Sequence, residues 1–145
     1  AKRSGMRLIC VVLGAADSSS RQKDATALLD YSFANYSSVR VLRQGEILQR
    51  NVPVEGGVSK TVNVVSAKDV SVMVQKGTES SIVKEVKLNA ALAAPIQEGE
   101  EIGIVEVKLG EKVLATATVT VNKTVEAESL MYYLHSILCD WIQVY

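Results

Sequence analysis

Val105-Glu106-Val107-Lys108-Leu109-Gly110-Glu111-Lys112-Val113-Leu114-Ala115-Thr116-Ala117-Thr118-Val119-Thr120-Val121 contains two alternating apolar runs with a glycine between them. Val105, Val107 and Leu109 fall on one side, then Val113, Ala115, Ala117, Val119 and Val121 alternate with Leu114, Thr116, Thr118 and Thr120. A period of two places successive side chains on opposite faces of an extended chain, so both runs are half-buried strands. Val70, Val72 and Val74 repeat the pattern against Ser71, Met73 and Gln75. Breakers separate the runs at Gln44-Gly45, Glu55-Gly56-Gly57, Lys76-Gly77, Glu98-Gly99-Glu100 and Leu109-Gly110. Short strands between regularly placed turns predict a small antiparallel β-sandwich or barrel over residues 38–125.

The flanks differ. Upstream, Arg7 to Leu13 is a continuous apolar run closed by Gly14, which predicts a strand over 7–13 buried on both faces. Ser19 and Gln22 fit a capping box, and Ala25, Leu28, Leu29, Phe33 and Tyr36 recur at helical spacing, so a helix is expected over 19–36. Downstream, Leu130, Tyr133, Leu134, Ile137, Leu138, Trp141 and Tyr145 share one face of a helix expected over 126–145. Residues 129–145 would span about 25 Å as a helix and include His135 and Asp140. A segment of that kind suits lying on a membrane or on a partner better than crossing a bilayer. Leu130, Leu134, Ile137, Leu138 and Trp141 are its candidate membrane- or partner-facing residues.

Composition narrows the function classes. The chain has 145 residues, 16 basic and 16 acidic side chains, and 5% aromatics. Zero net charge and few stacking rings argue against a nucleic-acid surface. One histidine and two cysteines argue against most His/Cys metal sites. Cys10, inside an apolar run, is expected to be a small buried hydrophobe. No cofactor or metal is expected, and no signal peptide is evident; the first residue is not Met, which suggests a processed or shortened product.

Two segments have a serine and a lysine at the SxxK spacing of acyl-serine enzymes, Ser20-Arg21-Gln22-Lys23 and Ser81-Ile82-Val83-Lys84. With 14 serines and 10 lysines, about one such match arises by chance. Ser20 is better explained by helix capping, and Ser81 and Lys84 lie in strand-like sequence where they would face opposite ways. Neither SxN nor KTG occurs. His135 has no nucleophile near it in sequence, and Glu98, Glu100 and Glu101 suit a solvated turn better than a cation site. No catalytic residue is assigned.

Two quoted stretches resemble a family. Gly5-Met6-Arg7-Leu8-Ile9-Cys10-Val11-Val12-Leu13-Gly14-Ala15 and Lys23-Asp24-Ala25-Thr26-Ala27-Leu28-Leu29-Asp30-Tyr31-Ser32-Phe33-Ala34-Asn35-Tyr36 resemble the last strand and helix of the α/β penicillin-binding domain of serine D-alanyl-D-alanine carboxypeptidases, the low-molecular-mass penicillin-binding proteins. Leu92-Ala93-Ala94-Pro95-Ile96-Gln97-Glu98-Gly99-Glu100-Glu101-Ile102-Gly103 and Val125-Glu126-Ala127-Glu128-Ser129-Leu130 are similar to parts of that family's C-terminal β domain. The resemblance implies a strand–helix remnant over 1–37, a β-sandwich, and a terminal amphipathic helix. It implies that the family's SxxK, SxN and KTG motifs lie upstream of Ala1, so Ser20 and Lys23 are not their counterparts. It also implies a parent hydrolase that removes terminal D-alanine from peptidoglycan stem pentapeptides through an acyl-serine, in cell-wall maturation and cell shape. The expected place is extracytoplasmic, peripheral on the outer face of the bacterial cell membrane.

One departure concerns the anchor. Such terminal helices usually carry cations that meet anionic lipid, whereas no Lys or Arg follows Lys123 here. Two other classes compete. A biotinyl or lipoyl carrier would need its acceptor lysine on an exposed hairpin, a context that Val72-Met73-Val74-Gln75-Lys76 does not supply. An assembly role would pair chains through residues 7–13, whose apolar edge needs neighbours, giving a homodimer, a swapped form or disorder over 1–36.

Overall fold

A computed structural model describes residues 1–3 and 5–128. A two-stranded ribbon, β1 (Lys2–Arg3) and β2 (Met6–Arg7), precedes the helix α1 (Ser18–Asn35). Then follow β3 (Tyr36–Leu42), β4 (Ile47–Glu55), β5 (Thr61–Ser66), β6 (Val70–Gln75), a 3-10 turn (Glu79–Ser81), β7 (Ile82–Leu88), the short β8 (Leu92–Ala93), β9 (Glu101–Leu109) and β10 (Lys112–Val121). Six strands form a sheet in the order β7-β9-β10-β5-β4-β8, antiparallel except for the β4–β8 pair. The antiparallel pair β3–β6 forms the second layer. The result is the sandwich that the alternating valines predict.

The core lies between the layers. Val41, Leu42, Val72 and Val74 of the small sheet share one cluster with Val62, Val64, Val105, Val107, Ala117, Val119 and Val121 of the large one. Leu42, Val64, Val105, Val107 and Val119 have no accessible surface at all. β-branched side chains lose little rotamer freedom in a strand, which is why a valine-rich interior suits this fold.

Register shifts interrupt simple alternation in the β3–β6, β4–β5 and β9–β10 pairs. A register shift between Val113 and Ala115 sends Val113 outward and lets Leu114 pack against the core. A bulge places an extra residue opposite one partner and so swaps which side chain faces in. Gly103 is required by a close approach: a Cβ there would run into the Lys87 carbonyl oxygen and come within 2.8 Å of Leu88 Cα.

The edge strand β7 carries Lys84 opposite the fully buried Val107, on the same side as Ile82 and Val86. A charge pointing toward the core side of an edge strand disfavours pairing with another chain. Lys84 reaches out to Glu46 at 2.6 Å, and Glu46 also accepts from the Arg43 amide at 2.9 Å. The Lys84 hydrogen bond is the main reason that the Glu46 carboxyl titrates below its ordinary 4.5.

The N-terminal flank departs from expectation in three ways. Within 7–13 only Arg7 lies in a strand, and Leu8 pairs with Ala1 through two backbone hydrogen bonds of 2.9 Å. Leu8, Cys10 and Val12 are half-buried, whereas Ile9, Val11 and Leu13 are 84%, 74% and 88% exposed. A strand covered on both faces needs neighbouring strands, and the described residues leave one face of this run open. The helix cap is Asp17, not Ser19: its carboxylate accepts from the Ser20 amide at 2.7 Å. That amide hydrogen bond is also the main reason that Asp17 titrates below its ordinary value. Of the apolar residues at helical spacing in α1, Phe33 is buried and Leu28 is half exposed. Cys10 is only partly buried.

The C-terminal flank also differs. Residues 126–128 are extended rather than helical, with Ala127 bridging Gly57 and Val125 bridging Ile96. The rest of the expected terminal helix, with Leu130, Leu134, Ile137, Leu138, Trp141 and His135, lies outside the described residues.

Gly103→Ala is expected to destabilise the fold by about 1–3 kcal/mol through overpacking between β9 and β7, read from urea unfolding. Because the folded-state pKa of Glu46 is depressed, its contribution is present above its unfolded value and lost as pH falls through the folded one. Thermal melts from pH 7 to pH 3 should therefore show a shallower acid loss for Glu46→Gln than for the parent.

Candidate functional site

The residues singled out for chemistry do not converge. Ser20 sits in the first turn of α1 and its hydroxyl donates to Asp17 at 3.1 Å. The Asp17 cap thus holds both the amide and the hydroxyl of Ser20, and the SxxK letters at Ser20 and Lys23 are part of a helix start. Ser81 ends the 3-10 turn and its amide donates to the Thr78 carbonyl at 3.1 Å, while the Lys84 ammonium is held by Glu46. Glu100 accepts from the Gln97 amide at 3.0 Å and closes its own turn, and the Glu98 amide donates to Thr124 at 3.0 Å. Among the described residues, no group of three or more His, Cys, Asp or Glu side chains could hold a metal ion.

What the structure does build is a junction. Asn35 ends α1, and Tyr36 is both its C-cap and the first residue of β3, with the Tyr36 amide donating to the Ser32 carbonyl. The β6 end meets the same point, where the Lys76 amide donates to the Asn35 carbonyl at 2.8 Å and Lys76 Nζ to the Phe33 carbonyl at 2.9 Å. In the same region Arg3 pairs with Asp30 at 3.0 Å and lies over the Phe33 ring, 5.0 Å from its centre. These residues line a cleft of about 660 Å³ with Met6, Tyr36 and Ser37.

A second constructed feature lies at the opposite end of the sandwich. β10 starts at Lys112 opposite Leu109, which also pairs with Ile82, the residue after the 3-10 turn whose Glu79 bonds Ser37 beside the helix end. It runs ten residues, about 33 Å, before the chain continues along Asn63, Ile96 and Gly57. Val125 is 1% exposed, and Cβ placement at Gly57 would bring it within 2.6 Å of Val125 Cγ1. The Glu128 amide donates to the Gly56 carbonyl at 2.7 Å, the Val58 amide to the Glu126 carbonyl at 3.0 Å, and Lys60 pairs with the Glu128 carboxylate. Residues 125–128 are thus stitched to the sandwich, and the chain leaves it about one β10 length from where α1 enters. Composition and spacing do not reveal this separation; it follows from register.

Fold and junction together define a β-sandwich accessory module, entered by a helix at one end and left by an extended strand at the other. The family model for the penicillin-binding protein 5 C-terminal domain matches residues 36–127, from the first residue of β3 to the Ala127 bridge. The chain belongs to that family.

Its relatives extend the likeness beyond the sandwich. The chain is 28% identical over 142 residues to the D-alanyl-D-alanine carboxypeptidase DacF of Bacillus subtilis, covering 97% of this chain and 36% of the relative. It is 29% identical over 141 residues to the D-alanyl-D-alanine carboxypeptidase DacA of Haemophilus influenzae, covering 96% and 34%. The chain thus spans about a third of the curated relatives it matches. Penicillin-binding protein 5 from Haemophilus influenzae superposes with a TM-score of 0.66 at 27% identity, over 74% of this chain and 31% of that one. The D-alanyl-D-alanine carboxypeptidase DacD from Francisella tularensis shares the fold, with a TM-score of 0.67 at 24% identity over 88% and 32%.

If Ser20 is held by the Asp17 cap and is not a nucleophile, incubating the chain with a fluorescent penicillin leaves it unlabelled. A penicilloyl adduct on Ser20 in the intact-mass and peptide spectra would contradict the assignment.

Proposed function

We propose that the chain is the non-catalytic C-terminal part of a serine D-alanyl-D-alanine carboxypeptidase of peptidoglycan maturation, and that its sandwich is a rigid spacer. The observation that carries the proposal is the placement of α1 and the 125–128 strand at opposite ends of the domain. A catalytic domain on the α1 side is thereby held about 33 Å from whatever residues 129–145 engage. In the parent, a serine hydrolase would cleave terminal D-alanine from stem pentapeptides through an acyl-serine, with those groups outside this chain. Residues 129–145, with Leu130, Leu134, Ile137, Leu138 and Trp141 on one face, would rest on the outer face of the bacterial membrane. Among the described residues no helix is long and apolar enough to cross a membrane.

The exposed apolar segment 8–13 fits the same proposal. With Ile9, Val11 and Leu13 each more than 70% exposed, it has the character of a strand that another domain covers. A chain lacking that cover would bury the segment between copies instead, the homodimer expected from sequence.

Sedimentation with phosphatidylglycerol-containing vesicles tests the spacer. The 145-residue chain should pellet with vesicles, and a chain ending at Glu128 should not; both remaining in solution would overturn the membrane arm. Light scattering tests the segment 8–13: the parent chain should show concentration-dependent mass, and Val11→Lys should reduce it toward the monomer.

A further inference from the structure

The carbonyls of the last turn of a helix have no partner within the helix, and the negative end of its dipole favours a nearby cation. α1 has no basic residue in its own last turn. The cation is supplied by the sandwich: Lys76, at the end of β6, reaches the Phe33 carbonyl with its ammonium at 2.9 Å and the Asn35 carbonyl with its amide at 2.8 Å. The turn that presents Lys76 is itself fastened to β3. Glu79 accepts from the Gly77 amide at 2.7 Å and from the Ser37 hydroxyl at 3.0 Å, and the Thr78 hydroxyl donates to the Gln75 carbonyl at 2.7 Å. Its own backbone amide first, then the Ser37 hydroxyl and the Gly77 amide, hold the Glu79 carboxyl below its ordinary value, so it is an acceptor at neutral pH. Arg3 also holds the helix, through Asp30 and the Phe33 ring, at the cleft that Lys76 lines.

We propose that the turn from Lys76 to Glu79 is an orientation clasp, which holds α1 at one angle to the sandwich. Lys76 is its positioning residue and Glu79 sets the shape of the turn. The clasp acts on a junction that has no linker: without it, the only covalent constraint on the helix is the Asn35–Tyr36 step, and the helix can swing about the backbone there. The clasp deepens the spacer proposal, because a spacer fixes the height of a catalytic domain only when the angle at the junction is fixed. The two stand or fall separately, since the vesicle experiment does not depend on the angle and the following one does not depend on lipid.

The test uses the full chain with Cys10→Ser and Cys139→Ser, spin-labelled at Asp24→Cys on the exposed side of α1 and at Thr116→Cys on the outer face of β10. Pulsed electron spin resonance should give one narrow distance distribution for this parent. Lys76→Met, which keeps the aliphatic stem and removes the donor, should broaden and shift it, and Lys76→Arg should restore it. Hydrogen exchange at the Tyr36 and Lys76 amides should quicken about two- to fivefold in Lys76→Met, while the Val64 and Val119 amides keep their protection. A Lys76→Met distribution superimposable on the parent's, or a parent distribution already broad, overturns the clasp. Should Lys76→Met fail to fold, Glu79→Gln supplies the same readout: broadening supports the clasp and an unchanged distribution overturns it.

Discussion

At Tyr36 the chain changes period without a linker: the residue that caps α1 is the first of β3. Everything else follows from having to satisfy both sides of that step. β3 can be a strand only if Val39 and Val41 find an apolar surface to face, and that surface is the valine layer of β5, β9 and β10. Once β3 lies on that layer, β6 pairs with it in register from Gln75 to Val70, and the β6 end arrives beside the last turn of the helix. Lys76 can then reach carbonyls that the helix itself leaves open. Core packing and helix termination are therefore one arrangement, and neither is independent of the other.

The charged residues serve the surface of this arrangement. Equal numbers of acids and bases are interleaved on the outer strands: Lys87 pairs with Glu106 at 2.8 Å, and Lys108 bridges Glu106 at 2.9 Å and Glu85. These pairs are exposed and each contributes little to stability. Their effect is on the edge: alternating charge on β7 and β9, with Lys84 on the core side, leaves no flat apolar strip for another sheet to extend. Zero net charge thus reflects a neutral mosaic and not an absence of charge.

Much of this was legible in the residues. Strict alternation in 70–75 and 105–121 could come only from half-buried strands, and each glycine breaker fell between strands. The bulge that turns Val113 outward was not legible, because alternation assumes an unbroken ladder and the register shift is a tertiary outcome. Ser19 looked like the helix cap because its type and its spacing to Gln22 were right; Asp17 is better placed and ionised, and a local motif cannot rank two candidates two residues apart. Lys76 read only as part of a turn. Its role depends on a helix end more than forty residues away in sequence, a distance at which pattern carries no signal.

The flank upstream of the sandwich shows the limit most clearly. The run Leu8 to Leu13 has the composition of a central strand, and in the structure its Ile9, Val11 and Leu13 are exposed. Composition reports the environment in which a segment is stable, and here that environment is absent from the described residues. Covering a side chain such as Ile9 or Leu13 is worth about 1.5–3 kcal/mol, so three of them together are enough to drive association with a matching surface. The family match begins at residue 36, whereas the curated relatives align over nearly the whole chain. That difference has a physical counterpart. Residues 36–127 enclose a shared core of valines, while the helix and the segment before it leave Ile9, Val11, Leu13, Leu28 and Tyr31 facing outward. A piece that keeps its own core can be a family by itself; a flank that leaves apolar side chains open gains stability from any surface that covers them.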